Sequence, residues 1–591
     1  MNLFMNNVLK KLFLLLFVIS ISVNGQRIKF KIIETTDSHG AIFPYDFLNA
    51  RPNNSSLAQV HTYVESERAD TSQEVILLSN GDILQGTPAV YYYNFEKTSE
   101  PHLYAEVMNY MKYDAGSVGN HDIETGHPVY DKFVTELKFP WLSANSINIK
   151  TEKSYFKPYT IIERRGIKIA ILGMTTPAIP NWLPQKIWEG MRFDDMIESA
   201  NEWVPIIKEN ENPDIIIGLF HSGVDATYNG QTPETYKNEN ATKLVAEQVP
   251  GFDIVFSGHD HHGWNEFVTN SEGEKALMIG GTSSARVFAE VTVSLTYDDT
   301  KNNWGKEFSG KLLSSSNYKA DTVFQNHFES QFEEVKNYVS KQIGVFSETI
   351  YSRDALFGDS PFVDLIHTIQ LDISGAEISF AAPLTFNTKI EKGNIYVKDM
   401  FKLYKYENLL YTMNLSGKEI KDILEYSSGK WFNQMIYSKD DLLRFKKDEN
   451  GNLEWSERSN SPMLADRFYN FESAAGINYT VDVSKPIGEW ITIINMSDGT
   501  NFELSKMYKV ALNSYRGNGG GGHLTTGANI PNDELSSRII TSTEKDLRFY
   551  LMKWIEEKKN VNPKADNNWK IIPKDWAKNG KEKDYKLLFQ E

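Results

Sequence analysis

Side chains able to ligate a metal ion or move a proton fall in five short segments of this chain. They are Asp37-Ser38-His39, Gly81-Asp82, Gly119-Asn120-His121-Asp122, His221-Ser222-Gly223 and Gly258-His259-Asp260-His261. Imidazole and carboxylate together suit zinc, manganese, iron or cobalt, and the donors outnumber what one tetrahedral ion can use. A carboxylate such as Asp82 can bridge two cations and lower their mutual repulsion. Two ions ~3.5–4 Å apart clamp a phosphate, lower the pKa of a shared water and stabilise both in-line oxygens, so the chemistry expected is phosphoester hydrolysis with two divalent metal ions.

The order of the five segments carries this expectation, because a lone His-x-His or Asp-x-His in a long chain is incidental. Most of the segments directly follow a short β-branched, apolar run, at 28–33, 74–78, 168–173, 214–219, 253–256 and 276–279. Such runs predict strands, and helical stretches such as 194–209 separate them. In open α/β sheets, ligand sites gather beyond the carboxyl ends of strands, so one mouth should collect all five. By contrast His61, His102, His127, His327 and His367 lack this setting and are read as surface or core residues. His262 directly follows His261 and should point elsewhere.

The pattern from 26 to 316 is a layered α/β or α/β/β/α domain. Residues 321–342 predict one long charged helix with Phe324, Phe332, Val335 and Val339 at helical spacing, which makes 317–345 the expected linker. The remainder, 346–591, forms a second block without internal repeat of the first. It is expected to close with a terminal helix over 544–558 and a polar tail. A chain of 591 residues exceeds what one hydrophobic core organises, in keeping with two large domains.

Composition excludes several classes. No cysteine is present, which removes disulfides, thiolate zinc sites, cysteine nucleophiles and lipid attachment to cysteine. A net charge of −16 without a basic stripe excludes long nucleic acids as partners. A small anion is still admissible if metal ions supply the positive charge. Lys10 and Lys11 precede an apolar run from Leu12 to Val23, and the small residues Val23 and Gly25 suit a signal-peptidase cut after Gly25. Residues 1–25 are therefore expected to be a signal peptide, and the mature protein periplasmic or secreted. No later segment is long enough to span a membrane, and a monomer is expected.

Together these segments resemble the calcineurin-like metallophosphoesterases. More narrowly, Gly81-Asp82-Ile83-Leu84-Gln85-Gly86 and Pro140-Trp141-Leu142-Ser143-Ala144-Asn145 resemble the secreted 5′-nucleotidase and 2′,3′-cyclic-nucleotide 2′-phosphodiesterase family, over nearly the whole mature chain. The resemblance implies a four-layer α/β/β/α metallophosphoesterase domain followed by an α+β substrate-binding domain. It also implies that Asp37, His39, Asp82 and His261 hold one ion, and Asp82, Asn120, His221 and His259 the other. His121 would face the phosphate, stabilising charge or protonating the leaving oxygen. Many relatives support that histidine with a nearby carboxylate or amide. Here the candidate is Glu124, which either orients His121 or points to solvent.

In the second block, Asn513-Ser514-Tyr515-Arg516-Gly517-Asn518-Gly519-Gly520-Gly521-Gly522 lacks the ending of a Walker loop. Its glycines permit close backbone approach and Tyr515 offers a ring for a nucleobase. The resemblance raises this segment, with Arg516, Gly517, Asn518, Gly519, Gly520 and Gly521, to a substrate-binding loop for a small nucleotide. It also implies a second stacking aromatic, read as Phe471, with Tyr469 or Phe432 as substitutes. Typical 5′-nucleotidases carry Asn-Gly-Gly-Ile-Arg where this chain has Phe380-Ala381-Ala382-Pro383-Leu384. That difference favours the 2′,3′-cyclic-nucleotide 2′-phosphodiesterase/3′-nucleotidase branch over 5′-nucleotidase or UDP-sugar hydrolase. A non-catalytic nucleotide-binding protein would show an eroded ligand set, whereas every ligand position is filled.

Overall fold

The computed structural model describes residues 26–299, 303–456 and 460–590. The signal peptide expected over 1–25 lies outside the described residues.

The apolar runs become two six-stranded sheets. The first is ordered Asn303–Ser314, Val287–Asp298, Arg27–Thr35, Glu74–Asn80, Ala115–Ser117 and Trp141–Leu142. Arg27–Thr35 is parallel to Glu74–Asn80, with Ile32 opposite Ile76, and antiparallel to Val287–Asp298, with Phe30 opposite Val293. The second is ordered Trp264–Thr269, Lys275–Gly280, Ile254–Ser257, Ile215–His221, Ile167–Thr175 and Tyr159–Arg164, parallel through its four central strands.

Strands buried on both faces read as continuous apolar runs, and period-two alternation sends their side chains to different layers. Ile28, Phe30 and Ile32 meet Ile169, Ile171, Ile217 and Leu219 between the sheets. Ile33 and Leu77 face one outer helical layer, and Ala170, Leu172 and Ile216 the other. Burying each larger side chain contributes about 1.5–3 kcal/mol. The result is the expected α/β/β/α stack.

The single helix expected over 321–342 is two helices, Thr322–His327 and Glu329–Val339, with Phe328 between them at φ −105°. The break lets Phe324 and Phe328 both pack on Tyr110, at ring separations of 5.8 and 5.4 Å. Phe324, Phe328, Val335 and Val339 all bury in the first domain's outer core, so these helices belong to that layer instead of spanning a gap. Gln342 already opens the next strand, Gln342–Phe346.

The second domain centres on a five-stranded sheet ordered Ser473–Ala475, Ile378–Ala381, Met507–Asn513, Leu410–Ser416 and Ile539–Ser542, packed by the helices Pro361–Ser374 and Gly417–Trp431. Helix Leu547–Lys558 matches the expected terminal helix, but the tail beyond it is structured. Trp569–Ile572 runs parallel to Ile477–Asp482, and the helix Lys574–Phe589 follows. Trp569 and Leu588 join the domain's core, and Asp584 accepts the Leu442 and Leu443 N–H groups, both at 2.8 Å. A polar composition hid this ending, because a surface helix needs only one buried stripe. No helix among the described residues is long and apolar enough to cross a membrane.

The domains meet through a few specific contacts. Tyr91 of the first is fully buried, donates to Asp546 Oδ2 at 2.9 Å and lies under the Arg548 guanidinium at 4.8 Å. Asn518 Nδ2 donates to the Trp182 carbonyl at 3.3 Å.

Candidate active site

Each ligand-type residue lies at or just beyond the carboxyl end of a strand in one of the two sheets. Asp37 and His39 follow Arg27–Thr35, Asp82 follows Glu74–Asn80, Asn120 follows Ala115–Ser117, His221 ends Ile215–His221, and His259 and His261 follow Ile254–Ser257. Asp37, His39, Asp82 and His261 offer ligand atoms within 4.8 Å of one another, and so do Asp82, His221 and His259. Asp82 belongs to both groups. Asn120 Oδ1 joins the second, 3.1 Å from His221 Nε2 and 2.9 Å from His259 Nδ1.

The donor chemistry fits two cations. His39 Nδ1 lies 3.0 Å from the Gln85 carbonyl, and His221 Nδ1 lies 2.6 Å from the Asn80 carbonyl. A carbonyl only accepts, so these nitrogens carry the protons and the Nε2 lone pairs turn inward. His39 Nε2 then faces His261 Nε2 at 3.1 Å. His221 Nε2 faces Asp82 Oδ2 at 3.2 Å without hydrogen-bond alignment, and that buried oxygen has no donor. Converging acceptors in a buried pocket need a positive charge among them. The Asp82 carboxylate, followed by Asp37, raises His221 to about 10 against its burial. Burial, then the charge of His261, lowers His39 to about 3, leaving it neutral as a ligand must be.

Backbone strain concentrates here. Asp37, His39, Asp82, His259 and His261 are all left-handed, with φ of 47°, 47°, 53°, 73° and 62°. Such conformations cost of order 1–3 kcal/mol each and persist only where the surroundings enforce them. Asp122 is one enforcer: its carboxylate accepts the N–H groups of Asp82, Ile83, Leu84 and Gly119 at 3.0, 2.8, 3.0 and 2.8 Å. Gly119 admits no Cβ, which would collide with the Asp82 carboxylate.

His121 joins neither ligand group. Its Nδ1 lies 2.5 Å from Glu124 Oε2, so of the two orientations open to Glu124 the structure takes the one toward the histidine. Burial opposes charge on the ring, but Asp82 and then Glu124 outweigh it and raise His121 to about 9. The ring stands edge-on to His39 at 5.5 Å and is partly exposed.

The second-domain residues need revision. Phe471 is 3% exposed and stacks on Trp431 at 5.0 Å, with Phe432 and Trp569 against its edges. It is a core residue, and Phe432 is buried too. Tyr469 is partly exposed, receives a hydrogen bond from Arg467 at 3.0 Å, and stands edge-on to Tyr406. Burial pushes the Tyr515 phenol up to about 12, with Tyr469, Tyr228 and Glu239 adding to the effect.

Arg516 is not free to meet a substrate. Its guanidinium donates to Glu472 Oε1 at 2.9 Å, to the Gly520 carbonyl at 2.5 Å and to the Tyr469 carbonyl at 3.2 Å. It ties the glycine-rich loop to Tyr469. Side chains at Gly517, Gly520 and Gly521 would strike Tyr411, Tyr515 and Arg516 in turn, so these glycines make room for protein neighbours. Gly519 is left-handed at φ 99°, and Asn518 carries the contact to Trp182 described above.

The remaining histidines stay outside the site. His61 pairs with Asp321 at 2.9 Å, His127 with Asp131 at 3.0 Å, and His102 with Asn94 at 2.9 Å. His327 stacks on Tyr110, His367 lies between Ser379 and Ser473, and His262 turns back to Asp260. Sequence reading missed Asp122 as the organiser of two loops, Trp182 stacked on His259 at 5.5 Å, and Glu239 beside the same ring. It also passed over Glu407, raised to about 8 by burial and by Glu124 across the domain boundary, against Arg548. The signal available for Glu239 is a carboxylate between two loop asparagines just before a helix.

Residues 30–263 match the family model for the calcineurin-like phosphoesterases, and residues 340–527 that for the 5′-nucleotidase C-terminal domain. Over 95% of its length the chain is 27% identical to the 2′,3′-cyclic-nucleotide 2′-phosphodiesterase/3′-nucleotidase of Salmonella typhimurium, covering 91% of that protein. It is 28% identical over 93% of its length to the trifunctional nucleotide phosphoesterase protein YfkN of Bacillus subtilis, of which it spans 39%. A crystal structure of the 5′-nucleotidase precursor from Thermus thermophilus superposes with a TM-score of 0.61 at 20% identity, over 93% of this chain and 100% of that one, which shows a shared fold.

Proposed function

We propose, starting from a chain that belongs to the calcineurin-like phosphoesterases and carries a 5′-nucleotidase C-terminal domain, that it hydrolyses 2′,3′-cyclic nucleotides at the 2′ position and then removes the 3′-phosphate. The observation that carries the hydrolytic reading is the convergence of the acceptor atoms Asp82 Oδ2, His221 Nε2, His39 Nε2 and Asn120 Oδ1. Asp37, His39, Asp82 and His261 would hold one divalent ion, and Asp82, Asn120, His221 and His259 the other. Bound, such a pair supplies a more acidic water and the positive charge that a phosphoryl group needs. Zinc, manganese, cobalt or iron fits the donor set.

Glu124 orients the His121 ring through Nδ1, and His121 delivers the proton on Nε2 to the leaving oxygen. Tyr469, the substitute named above, replaces Phe471 beside Tyr515 as a face for the nucleobase, with Arg516 tying the Tyr469 carbonyl to that of Gly520. Stacking tolerates any base, which supports broad base specificity. Two observations support the 2′,3′-cyclic and 3′ preference. Ala381, Ala382 and Leu384 are buried where typical 5′-nucleotidases present an arginine, and the Salmonella relative that matches end to end carries that activity in its name. Residues 1–25 support export to the periplasm or exterior, with a monomer as the working form.

Product analysis with 2′,3′-cyclic AMP, 3′-AMP, 5′-AMP and UDP-glucose side by side tests the reading. The first two should turn over fastest, and chelation should stop all four. Preferential turnover of 5′-AMP or UDP-glucose would move the chain to the 5′-nucleotidase/UDP-sugar hydrolase branch; tight nucleotide binding without turnover would make it a binding protein.

A further inference from the structure

Three ligand histidines show what holds their second ring nitrogen, and one differs. His39 and His221 each offer Nδ1–H to a backbone carbonyl, of Gln85 and Asn80. His259 turns Nδ1 toward Asn120 Oδ1 and puts Nε2 3.2 Å from Glu239 Oε1, a carboxylate. The two ion positions are also unequal in charge. Asp37 and Asp82 give the first two carboxylates. The second shares Asp82 and otherwise meets an amide, Asn120, and two imidazoles, His221 and His259, so it has one carboxylate where the first has two.

Glu239 is built into place. It is 7% exposed, its N–H donates to Gln231 Oε1 at 3.0 Å, and its carbonyl accepts from Thr176 Oγ1 at 2.9 Å and Ser222 Oγ at 2.8 Å. The neighbouring asparagines pin the same turn. Asn238 Nδ2 donates to the Ala226 and Thr232 carbonyls, both at 2.9 Å, and Asn240 Nδ2 to the Asp225 carbonyl at 3.1 Å. Trp182 stacks on one face of the His259 ring at an interplanar angle of 24°. The ring is therefore fixed by a stack on its face and a carboxylate at its edge.

We infer that Glu239 is a positioning residue for the second ion, fixing the Nε2–H tautomer of His259 and supplying the negative charge that this ion's own ligands lack. A carboxylate behind a ligand histidine raises the basicity of the ligating nitrogen, and its loss typically costs 10–100-fold in metal affinity. The effect should fall mainly on the second site, because the His259 ring belongs to the second ligand group and not to the first. The inference rests on the two-ion reading above.

The test is metal stoichiometry and affinity of the full chain, measured by elemental analysis and by titration of chelator-treated protein with Zn²⁺ or Mn²⁺. Wild type should take up two ions. E239Q, which keeps the hydrogen-bond acceptor and loses the charge, should bind one ion as wild type does and the other about 10–100-fold more weakly. With Co²⁺, only the absorption bands of the weaker site should be lost at substoichiometric metal. E239A serves as the more severe variant, and E239Q decides if E239A misfolds. Wild-type affinity for both ions in E239Q overturns the inference, as does equal weakening of both. A wild type that takes up fewer than two ions overturns the two-ion reading, and the role of Glu239 with it.

Discussion

Glu124 Oε2 lies 2.5 Å from His121 Nδ1, one helical turn along the chain, with neither residue in either ligand group. On the proposed function, this pair keeps proton transfer apart from ion binding. Replacing His121 by Ala should lower kcat by about 10²–10⁴ while elemental analysis still finds wild-type metal content. E124Q should lower kcat less, since an amide oxygen still accepts from Nδ1–H. Loss of the ions in H121A would show that the histidine is a ligand after all.

Asp122 is the structural counterpart of that pair. D122A would strand four N–H groups, those of Asp82, Ile83, Leu84 and Gly119. Each unsatisfied donor costs about 1–3 kcal/mol, so urea unfolding should show a loss of several kcal/mol together with poor metal uptake. D122N keeps one oxygen, enough for two of the four N–H groups, and should lose less. A D122A protein as stable as wild type would mean that water or local rearrangement satisfies the loop.

The two tyrosines and Phe471 should part ways experimentally. Y469A or Y515A should raise KM for nucleotides by the ~1–3 kcal/mol of one stacked base, roughly 5–150-fold, and leave turnover of p-nitrophenyl phosphate unchanged. F471A should instead destabilise the second domain by about 3–5 kcal/mol, as a large core truncation does. An intact melting profile in F471A with a raised nucleotide KM would return Phe471 to the binding site.

A carboxylate cluster in the second domain should make stability depend on pH. Asp359, Asp364 and Asp566 bring carboxylate oxygens within 4.8 Å of one another. Burial, then the charge of Asp359, raises Asp364 to about 8, and burial followed by the charge of Asp566 raises Asp359 as well. Unfolded carboxyls ionise near pH 4. The folded state therefore favours the protonated form, and its stability is full below about pH 4 and declines as pH rises through about 8. D364N removes one titrating group while keeping an acceptor for the Asp566 N–H, which lies 2.9 Å from Oδ2. Its Tm should drop less than that of wild type between pH 6 and pH 9. Parallel Tm curves for the two proteins would refute this account.

Much of the first domain was legible in the chain alone. Strands buried on both faces must be apolar along their length, and ligand residues must follow them where the sheet opens, so Asp37, His39, Asp82, Asn120, His221, His259 and His261 could be named from local spacing. The missing cysteines and the charge of −16 likewise needed no fold. Residues whose roles come from contacts across sequence distance were not legible. Phe471 and Tyr469 are two positions apart, and only packing against Trp431 decides that the first is core and the second partly open. Arg516 reads as a substrate cation until Glu472, 44 residues away, claims it. Glu239 and His259 are 20 residues apart, and nothing local brings them to 3.2 Å. Local spacing determines which atoms can ligate, because strand ends are set by the nearby chain. The fold alone decides which polar groups are already satisfied, because partners and burial are supplied by segments that meet only in three dimensions.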